Sequence, residues 1–167
     1  MKRLWAPWRI EYILDKNKND RCLFCEVSRK IGNRADSTRD RKNMVLFRST
    51  CSFVMLNRYP YNSGHLMVVP YVHAPDFGGL SDDVLFDLIK TVDRSVNALR
   101  EALSPDGFNI GLNMGKVAGA GMESHMHIHV VPRWTGDTDS MPIVSETRVV
   151  PEHLKKTYAK ILKIIRK

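Results

Sequence analysis

Three histidines at every second position, His125, His127 and His129, are the residues whose type and spacing most directly suggest chemistry. They lie in the run Ser124-His125-Met126-His127-Ile128-His129-Val130-Val131-Pro132-Arg133-Trp134. Met126, Ile128 and Val130 fill the intervening positions, which is the period of a β-strand with one apolar face, so all three imidazoles point the same way. A helix would fan them around its axis. The β-branched residues and the closing Pro132 favour a strand that stops at a sheet edge. Near neutral pH an imidazole can be a base, a nucleophile or a metal ligand. The alternative is packing, but an apolar core would then have to satisfy three ring N–H groups from a chain with six histidines in all.

A second constellation is Cys22-Leu23-Phe24-Cys25. Its spacing is a zinc half-site, and two further ligands must come from elsewhere to close a tetrahedron. Two reduced, buried cysteines packed as small hydrophobes are the alternative. Ahead of the histidines, the loop 114–123 holds Gly115, Gly119 and Gly121, small residues that let backbone N–H groups approach anionic oxygens. It lacks the Gly-Lys-Ser/Thr of a P-loop.

These residues need elements to position them. With 167 residues, 43% of them apolar and 26% charged, the chain is expected to form one domain with a single core. The division expected is an N-terminal arm at 1–20, a cysteine knuckle and mobile basic loop at 21–43, a core at 44–150 and a C-terminal helix at 151–167. Met44–Phe47 and Ser52–Asn57 read as a hairpin around Arg48-Ser49-Thr50-Cys51. In its second strand Phe53, Met55 and Asn57 share a face. Arg58–Gly64 is a turn that delivers the chain through His65 into the unbroken apolar run Leu66–Pro70, a central strand.

The helix is expected over Ser81–Leu103, with Ser81 as N-cap, Asp82 and Asp83 in its first turn and a stripe of Leu85, Leu88, Val92, Val96, Leu99 and Leu103. Phe108–Asn113 alternates again. Ile143–Val150 reads as a last strand, and Pro151 opens a helix with Leu154, Tyr158, Ile161, Leu162 and Ile165 as its stripe. Consecutive strands with one long helix inserted predict an antiparallel α+β fold. No signal peptide or membrane span appears, so a cytoplasmic protein is expected. The net charge of +8 suggests an anionic partner without saying which.

The run His125–Val131 resembles the His-φ-His-φ-His-φ-φ signature of the histidine-triad (HIT) nucleotide hydrolases and transferases. The similarity extends to Leu4–Arg9, the Cys22/Cys25 pair, Leu56–His65, Gly107–Gly115 and Pro132-Arg133-Trp134, and is closest to the microbial branch that includes diadenosine tetraphosphate phosphorylases. It implies a homodimer that cleaves an adenosine-containing polyphosphate at the α-phosphate through a nucleotidyl-histidine intermediate.

By motif position His127 is the nucleophile, while His129 and His65 line the phosphate site and His129 protonates the departing group. Asn57 binds the ribose, with Phe53 and Met55 in the base slot. Asn113 and the backbone from Gly119 through Gly121 to Met122 meet the phosphates. Trp134 stacks on a second base or packs in the fold. Many relatives carry Ser or Gln just before the triad; here Gly121 and Met122 stand there, with only Ser124 nearby. Zinc-carrying relatives imply that His73 and His125 join Cys22 and Cys25 in a structural zinc site, in which Cys51 has no place.

The rivals are an adenosine phosphoramidase or aminoacyl-adenylate hydrolase of the same family, a nucleotide- or nucleic-acid-binding module without turnover, and a triad that holds a catalytic metal. Nucleic acid is the less favoured partner.

Overall fold

Val45–Arg48 (β1) and Ser52–Leu56 (β2) pair antiparallel as the expected hairpin. Its turn is tied down by the long helix: the Ser49 and Ser52 hydroxyls each donate to the Asp87 carboxylate at 2.6 Å. The structure, a computed structural model, describes residues 22–28, 38–137 and 152–167. The expectations for residues 1–20, for Ile143–Val150 and for Pro151 lie outside the described residues.

Leu66–Pro70 (β3), Gly107–Gly111 (β4) and Ile128–Arg133 (β5) complete a five-stranded antiparallel sheet in the order β1-β2-β3-β5-β4. All five residues of β3 are buried, as a central strand requires. The pleat sorts the side chains. Leu46, Val54, Leu56, Leu66, Val68, Ile128 and Val130 pack against the helices Asp82–Leu103 (α3) and Leu154–Ile165 (α4) in the main core. Val45, Phe53, Met55, Met67 and Val69 form a second apolar cluster with Phe24 and Val27.

Phe24 and Val27 belong to a short helix, Leu23–Ser28 (α1). Its last carbonyls are held from outside: Arg48 donates to Val27 O at 2.9 Å and Arg39 to Glu26 O at 2.6 Å. The histidines therefore lie on the sheet face covered by α1, opposite α3.

Four expectations need correcting. The triad strand begins at Ile128, because β3 and β5 pair only over Leu66–Val68, while the Met126 N–H bonds Ala74 O at 2.7 Å instead of continuing the ladder. Pro132 stands inside the sheet rather than at its edge. It opposes Phe108 of β4 but lies past the end of the β3 ladder, on the side where its missing N–H has no partner to serve. The basic segment before β1 is not all loop: Thr38–Lys42 (α2) is helical, with buried Asp40 paired to Arg48 at 2.7 Å. The last helix starts at Leu154, capped by His153, whose ring accepts the Lys155 N–H at 3.3 Å. Among the described residues no helix is long and apolar enough to cross a membrane.

Candidate active site and metal centre

Four histidines stand side by side on this face, and the fixed groups around them decide which ring nitrogen carries the proton. Backbone N–H groups only donate and carbonyls only accept. His127 Nδ1 lies 3.0 Å from His125 O, so it donates there and Nε2 keeps its lone pair. His65 Nδ1 accepts the Tyr61 N–H at 3.0 Å, which puts the proton of a neutral His65 on Nε2. That Nε2–H faces His129 Nδ1 at 2.8 Å, and His129 in turn carries its proton on Nε2. A bare nitrogen on His127 thus stands beside an N–H on His129, their rings edge to face with centroids 4.8 Å apart.

Burial keeps these rings neutral. It holds His65 down at about 3, helped by His129 and His127, and His129 at about 4, helped by His127. His127 is lowered by burial too, against the hydrogen bond to the His125 carbonyl. Only two of the four reach the surface: His127 is 6% exposed and His129 9%, whereas His65 and His125 are at 0%. His65, expected to line the phosphate site, is wholly buried behind His129, its Nε2 2.8 Å from His129 Nδ1.

The fourth ring faces elsewhere. His125 Nε2 donates to Pro70 O at 2.9 Å, turning its unprotonated Nδ1 toward the cysteines. Cys22 Sγ lies 3.3 Å from that Nδ1, Cys25 Sγ 3.5 Å, and His73 Nδ1 3.3 Å; Cys25 Sγ is also 3.2 Å from His73 Nδ1. The four ligand atoms all fall within 4.8 Å of one another. Metal bonds of about 2.0–2.3 Å put tetrahedral ligands roughly 3.3–3.8 Å apart, close to the four separations just given, so the quartet needs only a small closure to hold one such ion. The carbonyl behind His125 is the outer partner that orients a ligating histidine. Cys51 lies apart, packed against the main core.

The remaining candidates divide. Asn57 sits just past β2, its Oδ1 taking the Tyr59 N–H at 2.9 Å and its Nδ2 3.4 Å from His65 Nδ1. Phe53 and Met55 do not form an open slot: at 0% and 3% exposure they are core of the second cluster, and Phe53 stacks on Tyr71. The Gly119 N–H is not free for a phosphate either, since it closes a 3-10 turn on Lys116 O at 3.0 Å with Gly119 at φ 86°. Asn113 Nδ2 leans on Gly119 O at 3.5 Å. Gly121 is exposed, and Met122 packs against the second cluster. Trp134 is half-buried beyond β5, its N–H on Asp137.

Two aromatic rings escaped the sequence reading. Phe24, between the cysteines, lies 4.9 Å from the His127 ring and 5.4 Å from His125. Tyr61, read only as part of a turn, touches both His65 and His129, at 4.6 and 5.7 Å. The knuckle could have flagged Phe24, because whatever gathers the cysteines must bring it along. Nothing local in the sequence flags Tyr61.

The profile of the HIT domain matches residues 38–136, which take in all five strands and the histidine run. The chain belongs to the HIT family. Among similar HIT proteins, an AP-4-A phosphorylase of Mycobacterium tuberculosis is 33% identical over 161 residues, covering 94% of this chain and 80% of that protein. A bis(5'-adenosyl)-triphosphatase of Dictyostelium discoideum is 31% identical over 93 residues, 56% of this chain and 62% of that protein. A zinc-bound histidine triad family protein of Mycobacterium smegmatis shares the HIT fold with a TM-score of 0.67 at 24% identity, over 88% of this chain and 94% of its own.

Proposed function

We propose that this HIT enzyme, a nucleotide hydrolase or phosphorylase, moves the adenylyl group of a diadenosine tetraphosphate-like substrate through a covalent bond to His127. The observation that carries this reading is the pairing of an unprotonated His127 Nε2 with an N–H on His129. In the first step Nε2 attacks the α-phosphorus. The N–P bond forms as the P–O bond to the departing group breaks; the electron pair stays on that oxygen, which leaves as an anion held by a hydrogen bond from the His129 N–H. In the second step water or inorganic phosphate attacks the same phosphorus, the N–P bond breaks with its electron pair returning to His127 Nε2, and the proton that water gives up passes to solvent. The relatives named for adenosine polyphosphates support this substrate class.

Asn57 would meet the ribose and Asn113, Gly121 and Met122 the polyphosphate, with Trp134 a stacking surface at the far end. Cys22, Cys25, His73 and His125 would hold a structural zinc, a reading supported by the closeness of the four ligand atoms and by the existence of a zinc-bound relative, and the cytoplasm, where thiols stay reduced, suits that quartet. A homodimer through β4 is supported by its place at the sheet edge and by Ile110, which is 51% exposed there.

Mass spectrometry of protein quenched during turnover of diadenosine tetraphosphate tests the mechanism. An AMP adduct on His127 is expected, and His127→Asn should lose the adduct and at least about 10³-fold in kcat. ADP as a product in the presence of phosphate marks a phosphorylase; AMP marks a hydrolase. Binding without turnover or adduct would replace the enzyme with a nucleotide-binding module.

A further inference from the structure

Tyr61 touches the histidine pair in two independent ways. Its main-chain N–H donates to His65 Nδ1 at 3.0 Å, and its ring lies over both His65, at 4.6 Å and 32°, and His129, at 5.7 Å and 41°. The residue is 45% exposed while His65 is wholly buried, so the ring covers the pair from the outside. The turn that carries it is braced at both ends. Asn57 N–H bonds His65 O at 2.9 Å and His65 N–H bonds Asn62 O at 3.2 Å, closing the loop. Asn62 Nδ2 reaches across to Asp137 Oδ2 at 2.7 Å and Pro132 O at 3.2 Å, locking the turn to the end of β5.

We infer that Tyr61 is a positioning residue for the leaving-group donor, its N–H selecting the His65 tautomer and its ring holding His65 in line with His129, so that His129 presents an N–H to the departing group. The inference rests on the reaction proposed above. Without that N–H the proton of His65 could sit on either nitrogen. A proton on Nδ1 would leave two bare nitrogens facing each other at His65 Nε2 and His129 Nδ1, and His129 would move its own proton inward to satisfy the contact. The outer nitrogen would then have nothing to give.

Such a role matters in proportion to the negative charge that gathers on the leaving atom. Phenolate leaving from the phenyl ester of AMP carries its charge poorly, whereas p-nitrophenolate leaving from the p-nitrophenyl ester of AMP delocalises it. Tyr61→Ala keeps the N–H but removes the ring that holds His65 against it and covers the pair. Its kcat should fall about tenfold or more on the phenyl ester and less than about threefold on the nitrophenyl ester, with KM for both little changed, since a fixed N–H stabilises most where charge is least delocalised. Tyr61→Phe should restore both. Nitrogen-15 spectra of the histidine rings should show one tautomer each for His65 and His129 in wild type and Tyr61→Phe, and a mixture in Tyr61→Ala.

Equal losses on the two substrates with unchanged ring spectra would overturn the assignment, as would no loss at all. If Tyr61→Ala does not fold, Tyr61→Leu, which keeps the bulk without the ring, carries the same expectations. Should wild type turn over neither substrate, the proposed reaction fails, and the ring spectra alone still decide whether Tyr61 sets the tautomers.

Discussion

His65 and His129 stay uncharged because the fold buries them, and that has a cost at low pH. An exposed imidazole titrates at about 6.5, so the unfolded chain takes up protons below that value while the folded rings refuse them until about 3 and about 4. Stability from these two groups is thus complete above their unfolded pKa and drains away as pH falls through the window between. Each ring adds a slope of up to about 1.4 kcal/mol per pH unit within it. Denaturant titrations at about pH 7 and about pH 5 check this, and equal stabilities would contradict the burial argument. His65→Gln should remove part of the slope. It should also slow a substrate with a poor leaving group, because the Gln amide can turn either its N–H or its oxygen to His129 Nδ1 and no longer fixes that proton.

The turn 57–65 is the element on which the site depends, and Gly64 shows how tightly it is seated. Gly64 has φ 79°, and a Cβ there would lie 2.5 Å from Leu103 Cδ1 and 3.2 Å from both Leu99 Cδ2 and Pro132 Cγ. Gly64→Ala should cost about 1–3 kcal/mol by denaturation and shift His65 with it. Asp137 holds the other side: besides Asn62 it receives Arg133 Nε at 2.6 Å and the Trp134 N–H at 3.0 Å. Asp137→Ala should destabilise by about 1–3 kcal/mol, as expected when several donors lose one acceptor, and should lower kcat through the same turn. The alternation of His125, His127 and His129, the apolar run of β3 and the stripe of α3 are written in local periodicity, which is why they were legible. What was not legible depends on partners far along the chain. Ala74 stops the triad ladder early, Asp40 folds a basic segment into a helix by meeting Arg48, and Phe53 is core rather than pocket because Phe24 and Val27 cover that face. The family resemblance put His65 close to the triad, but only the Tyr61 N–H says which nitrogen it presents.

At the scale of the whole molecule, two predictions concern assembly and metal. If copies join edge to edge along β4, Ile110→Glu should give a monomer in sedimentation, with the second apolar cluster undisturbed. A zinc-loaded protein should lose one metal per chain to a strong chelator, and its stability should drop by about 2–3 kcal/mol relative to metal at a hundredfold its Kd. Cys25→Ser should bind less metal and show little further loss on chelation. The quartet also ties together residues 103 positions apart, Cys22 and His125, whereas the hairpin β1–β2 and the ladder β2–β3 join neighbours in the chain. Long loops close late, so sheet and helices can condense before the knuckle is captured. Bound zinc should accordingly leave the refolding arm of a chevron almost where it was and drop the unfolding arm, making the cation a brake on coming apart rather than a seed for coming together.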